Sequence, residues 1–449
     1  MTERQQLDAL AARLGPRLVR PGDPEWDAAR GAWQLTADQH PEAVATPADL
    51  DELREVVLAA RDAGLTVTTQ PTGHGANGSL AGSILVRPSA FDEVVIDAEA
   101  RTLRIGGGVQ WGTALAGLAG TGIIAPAGSS AVVGASGYLL AGGHSWFSRS
   151  TGLGARRLRA VELLTADGEH RRVDDASDAE LIWALRGAGG ALGVVTALEI
   201  ELDAAPQLAG GRLAFDPADA AAVLAAAAET GLAAPETLAV HAGFLRFPDL
   251  PMLPEEIRGR STVQVDVVLR GDLADLESLI APIRAAGRVV DERLTAFGIE
   301  ELAKVSDEPT DPSPGSGWSS LVERLDREAF ERVLAVYDRP DAAALVAVDF
   351  RVLGGAVARE SGLPGVAATV DEPFVVHTLG FGPAEATGPA FAAVREALGD
   401  AVTGRTFASI LNPGEGYGGA YDAASIERLQ AVKARIDPEG RFIGNRAYV

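Results

Sequence analysis

A histidine flanked by glycines stands in the run Pro71-Thr72-Gly73-His74-Gly75-Ala76, and a second, longer glycine-rich stretch follows at 126–154. An imidazole in such a turn can serve as a nucleophile, and loops that expose backbone N–H groups can line an anion. The second stretch brings Gly128, Ser129 and Ser130, then Val133, Gly134, Gly137 and Tyr138, and then Gly143 and His144. Several separate loops of this kind suit a long anionic ligand, and a dinucleotide with a large ring system has that length. Proton transfer needs a titratable group within hydrogen-bond reach of the substrate. Asp349 and Arg351 alternate in the run 345–353 (LVAVDFRVL), so they share one face of a strand, either as a structural pair or as pocket residues. His377, in FVVHTLGF, could line the same pocket. Tyr417 and Tyr421 lie in the glycine-flanked NPGEGYGGAY beside Asn412 and Glu415, as packed loop residues or as an acid/base group over the ligand. His40, His170 and His241 belong to no such constellation.

Composition narrows the chemistry. The chain has 449 residues, long enough for two or three domains, with 47% hydrophobic and 22% charged residues. Cysteine is absent, which removes disulfides, thiolate metal sites and thiol nucleophiles. There is no H-E-x-x-H, and no metal is expected. The net charge of −23 opposes nucleic acid and anionic membrane as partners. The first residues carry charge where a secretory segment would be apolar, and no run is long enough to span a bilayer, so a cytoplasmic location is expected. Lysine occurs only at 304 and 433 against abundant arginine, alanine and glycine, a usage that fits a high-GC bacterial source.

The elements that must position these residues are readable in outline. A helix is expected from a Thr46 cap and Pro47 to Gly64, with Leu50, Leu53, Val57 and Ala60 at helical spacing. Short strands are expected at 65–69, 83–87, 94–97 and 101–105. The segment 106–154 is too rich in glycine for one regular element. Strands flank a helix at 180–186 and a glycine loop at 187–193. That order, helix to glycine loop to strand, is the reverse of a Rossmann fingerprint. A boundary is expected near Pro206, followed by an Ala-rich helix, strands near 237–245 and 261–269, a helix near 272–285 and a ferredoxin-like lobe. The stretch 307–317 reads as a polar surface loop, and no internal repeat is apparent.

Five ordered segments resemble one family, the FAD-linked oxidases of the vanillyl-alcohol-oxidase (PCMH-type) superfamily, and within it the berberine-bridge-enzyme-like group. They are 67–78 (VTTQPTGHGANG), 126–154 (PAGSSAVVGASGYLLAGGHSWFSRSTGLG), 160–168 (AVELLTADG), 183–196 (WALRGAGGALGVVT) and 421–445 (YDAASIERLQAVKARIDPEGRFIGN). The resemblance implies an α+β fold of two lobes. An FAD-binding domain would occupy 1–205, with its core at about 38–204. An α/β substrate domain with an antiparallel sheet would occupy 206–400, and 401–449 would return to the first domain.

The resemblance also implies roles. His74 would bond the flavin 8α-methyl, and the loop residues at 71–76, 128–130, 133–134, 137–138 and 143–144 would line FAD. The backbone at Gly193, Val194 and Val195 would touch its adenine or ribityl half, with Asn412 and Asn445 as further cofactor contacts. The implied reaction is hydride transfer from an alcohol, amine or related C–H of a small molecule, such as a natural-product intermediate, to flavin N5, with O2 as acceptor. A dehydrogenase with another acceptor, or a flavin-binding protein without turnover, stays open beside it. The remaining partner expectation is a monomer or homodimer. Departures from the family pattern are local. Ser130 stands where relatives place the cysteine of a second flavin bond, Ala155-Arg156-Arg157 replaces an acidic turn, and Ala191 and Leu192 replace an asparagine and an aromatic residue.

Overall fold

The computed structural model describes residues 2–249, 255–256, 258–367, 369–382, 384–412 and 414–449. Leu53, Val56, Val57 and Ala60 form the buried stripe of the helix Leu50–Ala63. That stripe packs against a four-stranded sheet in the order Leu18–Val19, Ala43–Ala45, Ser83–Val86, Thr66–Thr69. Its last three strands run parallel. The helix is capped by Asp49, which accepts from the Glu52 N–H at 2.9 Å, and not by Thr46. The Thr46 backbone instead bonds the Arg17 carbonyl at 2.8 Å and prolongs the preceding strand. Gly64 ends the helix in the left-handed region, where a side chain would be strained.

A five-stranded antiparallel sheet follows, in the order Val94–Asp97, Thr102–Gly106, Val194–Glu201, Leu158–Leu164, His170–Val173. The helix Ala179–Ala188 leads into it and loses helical geometry at Arg186 and Gly187. The stretch between Thr102–Gly106 and Leu158–Leu164 contains the short helices Trp111–Gly117, Ala135–Leu140 and Ser148–Thr151 and the two-residue strand Ile123–Ile124. Residues 441–443 come back beside Thr66–Thr69, with Val67 N–H donating to Arg441 O at 2.8 Å and Ile443 N–H to Val67 O at 3.0 Å.

The third sheet has seven antiparallel strands in the order Val289–Ala296, Ala209–Phe215, Ser261–Leu269, Leu238–Arg246, Leu345–Val352, Phe374–Phe381, Gly315–Val322. Its buried core draws its residues from 209–401. The first four strands, with the helix Ala220–Ala233 and the short helices Leu273–Leu279 and Ala281–Ala285, have the expected ferredoxin-like order. The other three repeat that pattern without its last strand, with the helices Arg327–Val336 and Ala384–Leu398. The repeat is one of topology, which is why no repeated motif marks it. The expected loop at 307–317 is shorter than read, because Gly315–Gly317 already pair with Leu379–Phe381. Helices cover the face carrying Leu213, Val240, Val265, Phe350 and Val376. Strand alternation sends His241, Asp266, Asp349, Arg351 and His377 to the other face. No helix among the described residues is long and apolar enough to cross a membrane.

Candidate functional site

The His74 turn is braced from outside its own segment. Trp33 N–H donates to Thr72 O and Gln34 N–H to Gly73 O, and the Trp33 ring stacks on the imidazole with centroids 4.2 Å apart. Gly73 has φ 85°, and a Cβ there would sit 2.2 Å from Gln70 Nε2, so the turn requires glycine. His74 Nδ1 shares a hydrogen bond with Thr72 Oγ1 at 2.9 Å, while Nε2 is buried without a partner. Burial lowers the imidazole pKa to about 4, so the ring is neutral at pH 7. Asn445 Nδ2 donates to Gly75 O, which ties the C-terminal tail to this turn.

The 126–144 segment closes on the turn from the other side. Gly134 N–H reaches Thr72 Oγ1 at 3.4 Å, and a Cβ at Gly134 would press on Pro71 at 3.0 Å. Gly128 packs against the Tyr138 ring, as does Gly143, at φ 70°. Gly137 has open space where a side chain would project. Ser129, Ser130 and Val133 are partly buried in the same loop, and Ala76 closes the turn by bonding Gly73 O. Several buried polar atoms here have no partner: both amide atoms of Gln70, His74 Nε2, Tyr138 OH, His144 Nδ1 and Trp146 Nε1. Native interiors rarely leave so many groups unsatisfied in one region. They are the donors and acceptors a polar ring system bound here would use, so these residues fit FAD.

The polar face of the seven-stranded sheet supplies titratable groups. His241 pairs in register with Arg351, and Asp349 with both Gly243 and His377. Burial raises the Asp349 pKa to about 6, against the pull of Arg351 and with the help of Asp266. Burial likewise lowers His144 to about 3 and His377 to about 4, with Arg351 adding to both, and pushes His241 well down. His241 stacks on Trp146 at 3.8 Å and lies 6.2 Å from His144, which stacks on Phe407 at 5.1 Å. The glycine-rich segment and the sheet face therefore meet at these rings.

Other expected site residues lie elsewhere. Tyr421 OH donates to Gly187 O at 2.7 Å, and burial holds its phenol protonated. Tyr417 stacks between Tyr421 and Tyr448, with burial raising it to about 12. This aromatic stack pins the C-terminal return to the 187–191 loop. Asn412, expected as a cofactor contact, bonds within the protein. Its amide accepts from Ser319 N–H at 2.8 Å and donates to Ser319 O and Glu415, which leaves no donor free. Gly193, Val194 and Val195 sit where the central strand of the five-stranded sheet begins, with Val194 and Val195 paired to Leu164 and Leu163. Any ligand contact there falls to what that ladder leaves exposed.

Sequence reasoning passed over His241, Trp146 and Gln70. A signal existed for His241: in LAVHAGFLR the apolar residues alternate, which sets His241 and Gly243 on the face opposite the core. Trp146 and Gln70 flank the two glycine segments and carry no motif of their own.

Two glycine segments face a titratable sheet inside a two-lobed α+β frame with a returning C-terminus, an arrangement that fits a bound flavin. Residues 41–174 match the family model described as an FAD binding domain. A stretch of 294 residues is 29% identical to (R)-6-hydroxynicotine oxidase of Paenarthrobacter nicotinovorans. It covers 65% of this chain and 63% of that enzyme, less than two thirds of the relative's length. Among solved structures, the wild-type BBE-like 1 protein of Physcomitrella patens superposes with a TM-score of 0.83 at 17% identity, covering 100% of this chain and 99% of that one. The 6-hydroxy-D-nicotine oxidase of Arthrobacter nicotinovorans gives 0.81 at 23% identity, covering 97% and 98%.

Proposed function

We propose that the protein is an FAD-dependent oxidase of a small molecule bearing an oxidisable alcohol, amine or related C–H, such as a natural-product intermediate, with His74 covalently bonded to the flavin. The observation that carries this reading is the band of partnerless polar atoms from Gln70 and His74 to His144, which meets the sheet face at His241. Bound FAD would supply the two-electron acceptor for the substrate hydride and pass the electrons on to O2.

The chain's own residues do the rest. Neutral His74, with Thr72 on one ring nitrogen, keeps the other available for bond formation. Asp349, with a pKa of about 6, is mostly ionised at neutral pH and can take the proton from the substrate heteroatom. Neutral His144, His241 and His377 wall the cleft with polar surface while adding no charge that would compete with Arg351. The Trp146–His241 stack closes the floor between the lobes and limits water.

The test is spectroscopic. Purified protein should be yellow, with a flavin spectrum that bleaches anaerobically with a substrate alcohol or amine and recovers in air with hydrogen peroxide formed. Protein that takes up no flavin on purification or reconstitution overturns the reading.

A further inference from the structure

Arg351 stands apart from the other sequestered arginines. Arg149, Arg156, Arg186, Arg212, Arg270 and Arg446 each donate to protein oxygens, several of them to carboxylates. Arg351 is half-buried on the sheet face and has no hydrogen-bond or ion-pair partner among the described residues. The nearby acid Asp266 is already held by Arg212 through two bonds, at 2.6 and 2.8 Å. Asp349 shares the strand face but makes no ion pair with Arg351 within 4 Å. A guanidinium with no protein partner on a partly enclosed face can give its N–H groups to an anionic ligand.

We propose, building on the oxidase reading, that Arg351 anchors a carboxylate on the substrate, so that the molecules oxidised are small organic acids whose reacting heteroatom lies against Asp349. Three further observations support this. The groups facing Arg351 are Tyr138 and His144 from the glycine-rich segment, His241 from the neighbouring strand, and His377 with Asp349 from its own sheet. All but Asp349 are neutral at pH 7, and since Asp349 makes no ion pair with Arg351, the guanidinium N–H groups are left for a ligand. His144 Nδ1 and Trp146 Nε1 are buried without partners on residues 6% and 2% exposed, and they offer polar contacts beside the same cleft. Gly243 and Gly317 leave the sheet face bare next to Asp349 and His377: a Cβ at Gly243 would lie 2.6 Å from Asp349 Cβ, and one at Gly317 3.7 Å from the His377 ring. One arginine with no lysine nearby matches a monoanion better than a phosphate dianion. A planar guanidinium also fits a carboxylate through two parallel bonds.

The experiment is calorimetric titration of the purified holoprotein with glycolate and mandelate, with their amides, and with inorganic phosphate. The carboxylates are expected to bind about tenfold or more tighter than the matching amides and than phosphate, as a charge-assisted contact requires. Arg351→Gln should abolish that preference, and Arg351→Lys should restore part of it. Thermal melts confirm that the variants fold, and if the Gln variant does not fold, the weaker carboxylate binding of the Lys variant decides. Equal binding of acid and amide, equal binding of phosphate, or an acid preference that survives Arg351→Gln overturns the proposal. Flavin content is read separately by absorbance. A flavin-free protein would defeat the oxidase reading, while the acid-over-amide comparison still judges Arg351.

Discussion

Asp349 holds its proton longer than a surface aspartate because burial disfavours the anion. Arg351 only partly offsets this and Asp266 adds to it, leaving a pKa of about 6 against a usual 3.8. If it is the base, flavin reduction should accelerate as pH rises through about 6 and level off above. Asp349→Asn should flatten that profile and slow reduction by about 10²–10⁴-fold with FAD still bound, as rapid-mixing absorbance would read. The stability effect has the opposite sense. A carboxyl whose folded pKa exceeds its unfolded value supports the fold below about 4 and loses that support as pH rises through about 6. At pH 7 the Asn variant should therefore be more stable, by about 1–3 kcal/mol in denaturant titrations. A slower yet more stable variant separates a functional carboxylate from a structural one. The Asp349–Arg351 alternation was legible because strand period is local. His241 was passed over because its stacking partner Trp146 and register partner Arg351 are distant in the chain.

At the scale of elements, the C-terminal return is secured by hydroxyls that bond the carbonyls of a kinked helix end. Tyr421 reaches Gly187 O, and Tyr448 reaches Ala188 O at 2.7 Å. Gly187 has φ 136°, and a Cβ there would lie 2.7 Å from Tyr421 OH, so the two positions are fitted to each other. Tyr421→Phe should cost about 1 kcal/mol of stability, one buried hydrogen bond, and leave the rate of flavin reduction unchanged. A slowed reduction would return this tyrosine to the chemistry. In the sequence, a tyrosine between glycines suits a mobile catalytic loop as well as a packed one, and only the fold brings the 187–191 carbonyls to it. Strand positions were legible from β-branched runs, and 261–269 was read to the residue. The helix start was misread because Thr46 and Asp49 are both good caps, and the strand pairing of 43–45 with 18–19 takes Thr46 for itself.

For the whole molecule, the link between the flavin-side segments and the seven-stranded sheet relies on buried arginines. Arg149 donates to Leu353 O at 3.1 Å, Leu238 O at 2.6 Å and Ala234 O at 3.3 Å, and Arg270 donates to Ser150 Oγ at 2.9 Å. Arg149→Met should strand three carbonyls and cost about 3 kcal/mol or more, seen as a lowered Tm. An unchanged Tm would mean that water replaces these bonds freely. Such long-range clamps were invisible to sequence reading, which took Arg156 only as a departure from a motif. In the fold Arg156 bonds Glu360 and the Leu363 carbonyl.

The central claim, that the loop segments and the sheet enclose a flavin held through His74, is tested most directly by denaturing the purified protein and measuring the intact mass and the mass of the proteolytic peptide containing His74. The wild-type chain and that peptide are expected to carry FAD, and His74→Ala to yield an unmodified chain with its flavin in the supernatant. Wild-type protein that releases all its flavin on denaturation, or a modified peptide that lacks His74, would contradict the account.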